Sequence, residues 1–559
     1  MAWTLLLASL ALADELSHLY EANETVLVWL NKVEAQYSPA RHSAFSAFPL
    51  CRGQFLPEPL HQLTFGETLQ GFEMQNSGME VRFLQGTKRK PLCSVHLADT
   101  DLSLLRKAVT AQYWMQFFVD GLAVWGPLGC RGSEVYTHFH LLIHYNEQQI
   151  VQVFSQPGDP VELGNSEQSL DFYYSVTWLS TATPFAARLS AYTNPGGFFK
   201  TYFFVFDTFM AFLIAAIQYV AIHVGVCNLI HKGYLPEPPP EEKILGSLEN
   251  ADAAFKQMAG EVFRPPSCLP LLTACVSAGT QLLAVVLSML ILVLRYPIYT
   301  EWGYIQPIAL TLYSLFAFLA GLRGGSLYQQ KSWIKSLLLS FFCVPFLTAV
   351  LLSMQSSTTW SWLSLKEGLS ALLFAILMHV GGTVIGRRYF TDSKSPYKVN
   401  NLQPILRYQK RWLERPLSLI ALTGLLPFTV LILATHYLPE RIWDLKLYCI
   451  YGFALIAFLL ILCTIACSAI GVSYYLITIE DSRWPWISFL GAGSTAGYWF
   501  LFAVYSYLCK SQLSGELPWR VFFCNISLGC VCFFLMFGTM GYLAASQILR
   551  IVYIYIKRL

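Results

Sequence analysis

Charge is scarce in this sequence: Asp, Glu, Lys and Arg make up 13% of its 559 residues, while 55% are hydrophobic and 15% aromatic. With a mean hydropathy of +0.47, a chain of this length cannot hide its apolar surface in a soluble core, and most of it must meet lipid. An excess of either sign is also missing. The 37 basic and 34 acidic residues leave a formal charge of +3, with the basic residues scattered through loops, which argues against a nucleic-acid partner. Catalytic signatures are absent as well: there is no His-Glu-x-x-His, no Gly-x-Ser-x-Gly, no pair of intramembrane aspartates and no phosphate loop, so neither an enzyme nor a cofactor is expected. No internal repeat points to an inverted-repeat transporter. Cysteine is sparse where it could cross-link, since only Cys51, Cys93 and Cys130 of the 14 precede the first long apolar block. The others lie in or beside apolar blocks, where a thiol is a small filler.

What is present divides the chain in three. Residues 1–13 carry a short apolar stretch ending Ala11-Leu12-Ala13, which fits a signal peptide cleaved before Asp14. The sequon Asn23-Glu24-Thr25 follows and fits a glycan on a lumenal domain, whereas the second match, Asn525-Ile526-Ser527, falls inside an apolar block. Residues 14–200 alternate short apolar runs with turn residues, as in Thr25 to Leu30, Thr137 to His144 and Phe172 to Trp178, and this predicts a mostly β lumenal domain. An oxidising lumen allows one disulfide among its three cysteines. Cys51 with Cys93 is the expected pair, because each follows a strand-like run.

From residue 201 to 559 the texture is polytopic α-helical. Long apolar blocks at 202–230, 269–294, 304–322, 333–354, 366–386, 417–437, 447–477, 486–508 and 519–548 each approach the roughly 20 residues a bilayer requires, giving about nine transmembrane helices. Basic residues concentrate in the loops at 231–268 and 387–415, the latter with Arg388, Lys394, Lys398, Arg407, Lys410 and Arg411. The positive-inside rule then places those loops in the cytosol, the amino terminus in the lumen and the carboxyl terminus in the cytosol.

Several motifs in order give the chain a resemblance to the nonaspanins, the transmembrane 9 superfamily, over nearly its whole length and closest to the member-1-like branch. Val26 to Val33 resembles the family's apolar run ending Asn-Lys-Val, and Phe48-Pro49-Leu50-Cys51 its Leu-Pro-x-Cys element. Asp120 to Gly126 is similar to Asp-x-Leu-Pro-x-x-Gly, Tyr174 to Trp178 to the strand before the first span, and Val262-Phe263-Arg264-Pro265-Pro266 to the element before the second. Glu480-Asp481-Ser482-Arg483-Trp484-Pro485-Trp486 resembles the family loop motif that opens span eight, and Phe533 to Gly541 the Phe-Phe-Leu-Met-x-Gly-Thr-x-Gly of span nine. Two larger departures stand out: Tyr202 to Asp207 replaces a Glu-Ile-His-Trp, and the tail reads Lys557-Arg558-Leu559 where the family ends in an acid after Lys-x; Pro485 in the tryptophan motif and Leu425-Leu426-Pro427-Phe428 in span six are smaller ones.

The resemblance implies a sorting factor of Golgi and endosomes, or of the cell surface or lysosome. Its partners would be client membrane proteins with glycine-rich transmembrane helices and, at the sorting tail, coat proteins. Gly491, Gly493, Gly497, Gly538 and Gly541 are then the expected client-helix contacts, because small residues let another helix approach closely. The alternative is a transporter or channel for a small solute or ion, suggested by ionisable residues in or near spans: Asp207, His223, Lys366, Glu367, His379, Glu480 and Asp481. Of these His379 is the deepest, and it is read as a neutral histidine bonded to a neighbouring helix. Alternation puts His138 and His140 on one face of a strand, as metal ligands sometimes are, but with no cysteine nearby they and His144 are read as ordinary strand residues, with no metal expected.

Overall fold

The computed structural model describes residues 18–35, 38–51, 74–130, 133–164, 166–185, 187–189, 213, 216–217, 220, 262–296, 302–327, 362–389, 415–443, 450–478, 481–510 and 516–558. The signal peptide, most of the block at 202–230 with Asp207 and His223, the block at 333–354, Glu480 and Leu559 lie outside them, as does most of both basic loops.

Among the described residues, the amino-terminal domain has eleven strands. One sheet has the order β10 (Gln149–Glu162), β9 (Glu134–Asn146), β11 (Gln168–Ser180), β6 (Thr87–Leu97), with β9 and β11 parallel and the other pairs antiparallel. The second runs β3 (Ser38–Ala44), β2 (Val28–Ala35), β7 (Tyr113–Val119), β8 (Leu122–Pro127), with β4 (Gln75–Asn76) on β2. β1 (Thr25–Val26) pairs with β5 (Val81–Arg82). Strict alternation along β9 turns Val135, Phe139, Leu141 and Ile143 inward, and one core joins the sheets, with Phe117 of β7 packing edge-to-face on Phe139 of β9 at 5.7 Å. The Asp120-Gly121 pair of the family motif is the two-residue turn between β7 and β8. Both residues have positive φ, 50° and 68°, as a type I′ hairpin demands.

Cys51 and Cys93 are disulfide-bonded, with their Cα atoms 5.9 Å apart, and Asn23 is exposed on a turn at φ 68°. The domain also contains a helix that alternation did not predict, α1 (Asp99–Thr110), whose Leu102, Leu105, Ala108 and Val109 face the core at helical spacing.

Seven long helices follow among the described residues: α2 (Leu269–Arg295), α3 (Trp302–Leu327), α4 (Trp362–Tyr389), α5 (Pro416–Trp443), α6 (Ile450–Thr478), α7 (Trp484–Lys510) and α8 (Glu516–Arg558). Each covers one of the apolar blocks, and six hold windows long and apolar enough to cross a membrane. Contacts give their relative directions. Ser277 bonds the Ala320 carbonyl and Gln281 that of Tyr313, so α2 and α3 are antiparallel. Ser494 bonds Ile420 and Tyr498 bonds Ala421, while Phe428 packs on Tyr498 and Phe502, so α5 and α7 are parallel. These directions agree with the alternation read from the spans.

A close glycine seam joins α3 and α4. A Cβ on Gly321 would meet the carbonyl of His379 and one on Gly325 that of Thr383; conversely, Gly382 faces the Phe318 carbonyl and Gly386 that of Leu322. Each helix thus presents a glycine every fourth residue, and the backbones touch without side chains between them. His379 sits in this seam, 3% exposed, and its Nδ1 donates to the Ala317 carbonyl at 3.2 Å.

Gly382→Leu is expected to force α3 and α4 apart at a cost of about 1–3 kcal/mol or more, seen as a lower thermal midpoint of the detergent-solubilised protein. Gly381→Leu is expected to leave the midpoint unchanged, because no described atom lies within 4 Å of a Cβ there.

Candidate functional site

The family loop motif is the turn between α6 and α7. Its geometry is set by Asp481, whose backbone N–H donates to the Leu476 carbonyl at 2.8 Å and ends α6. The Asp481 carboxylate accepts from the Arg483 backbone N–H at 2.9 Å and from its guanidinium at 2.6 to 3.1 Å. α7 starts directly afterwards. Pro485 lies in its first turn, where a missing N–H costs nothing.

This turn aims two indoles at another part of the chain. Trp484 Nε1 donates to the Val262 carbonyl at 2.9 Å, and Trp486 Nε1 to that of Ser267 at 2.7 Å. Between these two acceptors lie Pro265 and Pro266, which have no N–H of their own to close a local turn. The run 262–268 ends at Cys268, in left-handed conformation at φ 54°, which caps α2. Trp484 is buried and stacks on Tyr542 of α8 at 6.0 Å, while Phe263 meets Tyr553 edge-to-face at 5.5 Å. Leu419, Leu476, Ile477, Ile487, Ala545 and Leu549 complete this cluster. The start of α5, the end of α6, the start of α7 and the end of α8 therefore converge on the last residues of the first long loop. Lys557 and Arg558 of the tail continue the same helix as Tyr553.

The expected client-contact glycines fall into two groups. A Cβ on Gly491 would lie 3.0 Å from Thr423 of α5; on Gly493, 2.8 Å from the Phe534 ring; on Gly538, 2.8 Å from the Phe489 ring; and on Gly541, 2.9 Å from the Ser488 carbonyl. These four are occupied by the chain's own helices. Gly497 differs: it is exposed, with no described atom within 4 Å of its would-be Cβ. Leu501, Tyr505 and Leu508 continue its face of α7 at 63%, 55% and 72% exposure.

In the amino-terminal domain the other family residues are buried structural groups. Asn31 donates to Gln116 at 2.8 Å, Lys32 pairs with Glu34 at 3.3 Å, and Asp120 accepts from Tyr20 at 2.9 Å and pairs with Arg188 at 3.3 Å. His138 and His140 share a strand face, as read, and meet Ser175 and Thr177 hydroxyls at 3.0 and 2.9 Å. Among the described residues no cluster of three His, Cys, Asp or Glu could hold a metal ion.

The sequence model of the family described as Endomembrane protein 70 matches residues 43–516. The chain belongs to that family. Full-length relatives agree: Transmembrane 9 superfamily member 4 of Arabidopsis thaliana is 26% identical over 584 residues, covering 98% of this chain and 96% of its own. Transmembrane 9 superfamily member 1 of Bos taurus is 26% identical over 600 residues, covering 99% and 97%. The mouse member 1 is 26% identical over 578 residues, covering 96% and 94%. As a member of the endomembrane protein 70 family the chain is a multi-pass membrane protein with a β-rich domain ahead of its helices.

The two indole bonds give a direct check. Trp484→Phe and Trp486→Phe each leave a carbonyl without its donor, a loss of about 1–3 kcal/mol. Backbone hydrogen exchange over 262–272, followed by mass spectrometry in micelles, is expected to quicken several-fold in both variants. Trp519→Phe, at an exposed position on the first part of α8, is expected to leave it unchanged.

Proposed function

We propose that this protein acts without catalysis as a sorting factor, holding transmembrane segments of client proteins and assisting their delivery to membranes of the Golgi and endosomes, with its β domain in the lumen and its tail in the cytosol. Family membership over nearly the whole chain carries the reading, and Gly497 supplies the place. It is a notch on an apolar face of α7, where van der Waals contact with a client glycine could form without displacing the chain's own helices. The rival reading as a solute transporter drew on His379, and that side chain serves the α3–α4 seam. Solute flux in reconstituted vesicles that disappears with His379→Ala would favour the rival.

Co-purification of membrane proteins with Gly497→Leu is the test. The variant is expected to keep its thermal midpoint and lose its set of clients; Gly493→Leu is expected to lower the midpoint, because Phe534 occupies that space. An unchanged client list with Gly497→Leu contradicts the assignment of α7.

Orientation is checked separately. Asn23→Gln is expected to abolish a glycosidase-sensitive shift in gel mobility, and Asn525→Gln, at a buried position in α8, to have no effect on it.

A further inference from the structure

Arg89 and Asp159 stand on opposite edge strands of the four-stranded sheet, β6 and β10, yet Arg89 Nη1 and Asp159 Oδ2 are 2.8 Å apart. The arginine reaches across the two middle strands. On the way its guanidinium lies 4.4 Å from the centre of the Tyr173 ring of β11. His138 of β9 sits beside the same carboxylate, with Nδ1 3.7 Å from the Oδ2 that Arg89 holds and Nε2 3.0 Å from Ser175 Oγ.

The backbone is shaped to this arrangement. Asp159 has φ 51°, a left-handed conformation uncommon outside glycine, asparagine and aspartate, and the Thr137 hydroxyl donates to its carbonyl at 3.0 Å. The neighbouring Gly158 leaves room for the imidazole: a Cβ there would stand 3.2 Å from Nδ1.

We propose that Arg89, Asp159 and His138 form a proton-sensitive strap across the outer face of this sheet, closed near neutral pH and released in an acidic compartment. The groups facing His138 are Asp159 from β10, Arg89 from β6, Tyr173 and Ser175 from β11, and His140 on its own strand. Burial, the largest effect, holds the His138 imidazole below its ordinary value; Asp159 works against it, while Arg89 and His140 add to it. In neutral surroundings the ring is uncharged and Asp159 belongs to Arg89. Once protonated, the imidazolium is a second cation on the same carboxylate, it repels Arg89, and the two cannot share Asp159 on the original terms. Arg89, whose side chain is 56% exposed, is the one free to leave, and edge strand β6 loses its tie to the opposite edge.

The sign of the linkage follows. A histidine whose folded value is depressed contributes full stability above its unfolded value of about 6.5, and that contribution is lost as pH falls from there through the folded value. This window coincides with the acidification met between early and late lumenal compartments if the β domain is lumenal, so the inference rests on the orientation proposed above. It adds a way for the lumenal face to change along the route.

The test uses the full-length protein in detergent micelles. Exchange of the histidine C2 proton, read by mass spectrometry over acidic to neutral pH, gives the titration midpoint of His138. Asp159→Asn is expected to lower that midpoint and Arg89→Gln to raise it, each by about half a unit or more. Asparagine tolerates the left-handed backbone, so the first variant keeps the sheet intact. Backbone exchange over 87–92, corrected for the chemical effect of pH, is expected to rise several-fold on acidification in the parent protein and not in His138→Gln. A midpoint that ignores both charge substitutions overturns the proposal, and so does β6 exchange that is indifferent to pH or responds equally without His138. Client capture through Gly497 has its own readout, so failure of the strap and failure of the sorting reading are distinguishable.

Discussion

Within lipid, apolar side chains gain nothing by leaving one greasy neighbour for another, so this bundle is held by how closely its backbones can approach. Glycine sets that distance. Gly321, Gly325, Gly382 and Gly386 bring α3 against α4; Gly279 brings α2 against Leu535 and Thr539 of α8; and Gly424 brings α5 against Ser494 of α7. Once backbones are this near, hydroxyl and amide side chains can bond carbonyls across the gap, as Ser277, Gln281, Ser494 and Tyr498 do. In an apolar medium those bonds orient the helices even where each contributes modestly.

The indoles of Trp484 and Trp486 extend the same logic to one end of the bundle. A loop emerging from lipid has unpaired carbonyls, and proline at two successive positions removes the local way of satisfying them. The two tryptophans supply donors from more than two hundred residues away, and the packing of Phe263 on Tyr553 brings the helix that carries the tail into the same cluster. Two of the family's most specific motifs are thus one structural unit. A change in the loop would be felt at the base of α7, the helix that bears Gly497, and near the carboxyl terminus.

Much of the architecture was legible because hydrophobic length and periodicity are local properties. The block read at 269–294 is helix Leu269–Arg295, and alternation in β9 correctly put His138 and His140 on one face. α8 outran its block at 519–548 because packing of Tyr553 extends the helix to Arg558, a tertiary effect invisible to hydropathy. Spacing alone could not separate a client groove from an internal seam, since both require small residues every fourth position. Gly491, Gly493, Gly538 and Gly541 face their own chain, and the seam between α3 and α4 carries the same spacing of glycines on both helices. The indole latch and the Arg89–Asp159 strap join residues far apart in sequence, and only the fold reveals them.

The proposed client contact at Gly497 requires that this glycine stay open on the apolar face of α7, while Gly491, Gly493, Gly538 and Gly541 are taken up by the protein's own helices. Photo-crosslinking in cells from a benzophenone amino acid placed at position 497 tests it most directly, with position 501 on the same face as a second probe. Adducts with other membrane proteins are expected from both positions in protein that retains its native thermal midpoint. Adducts confined to lipid, or to this chain's own helices, would contradict it.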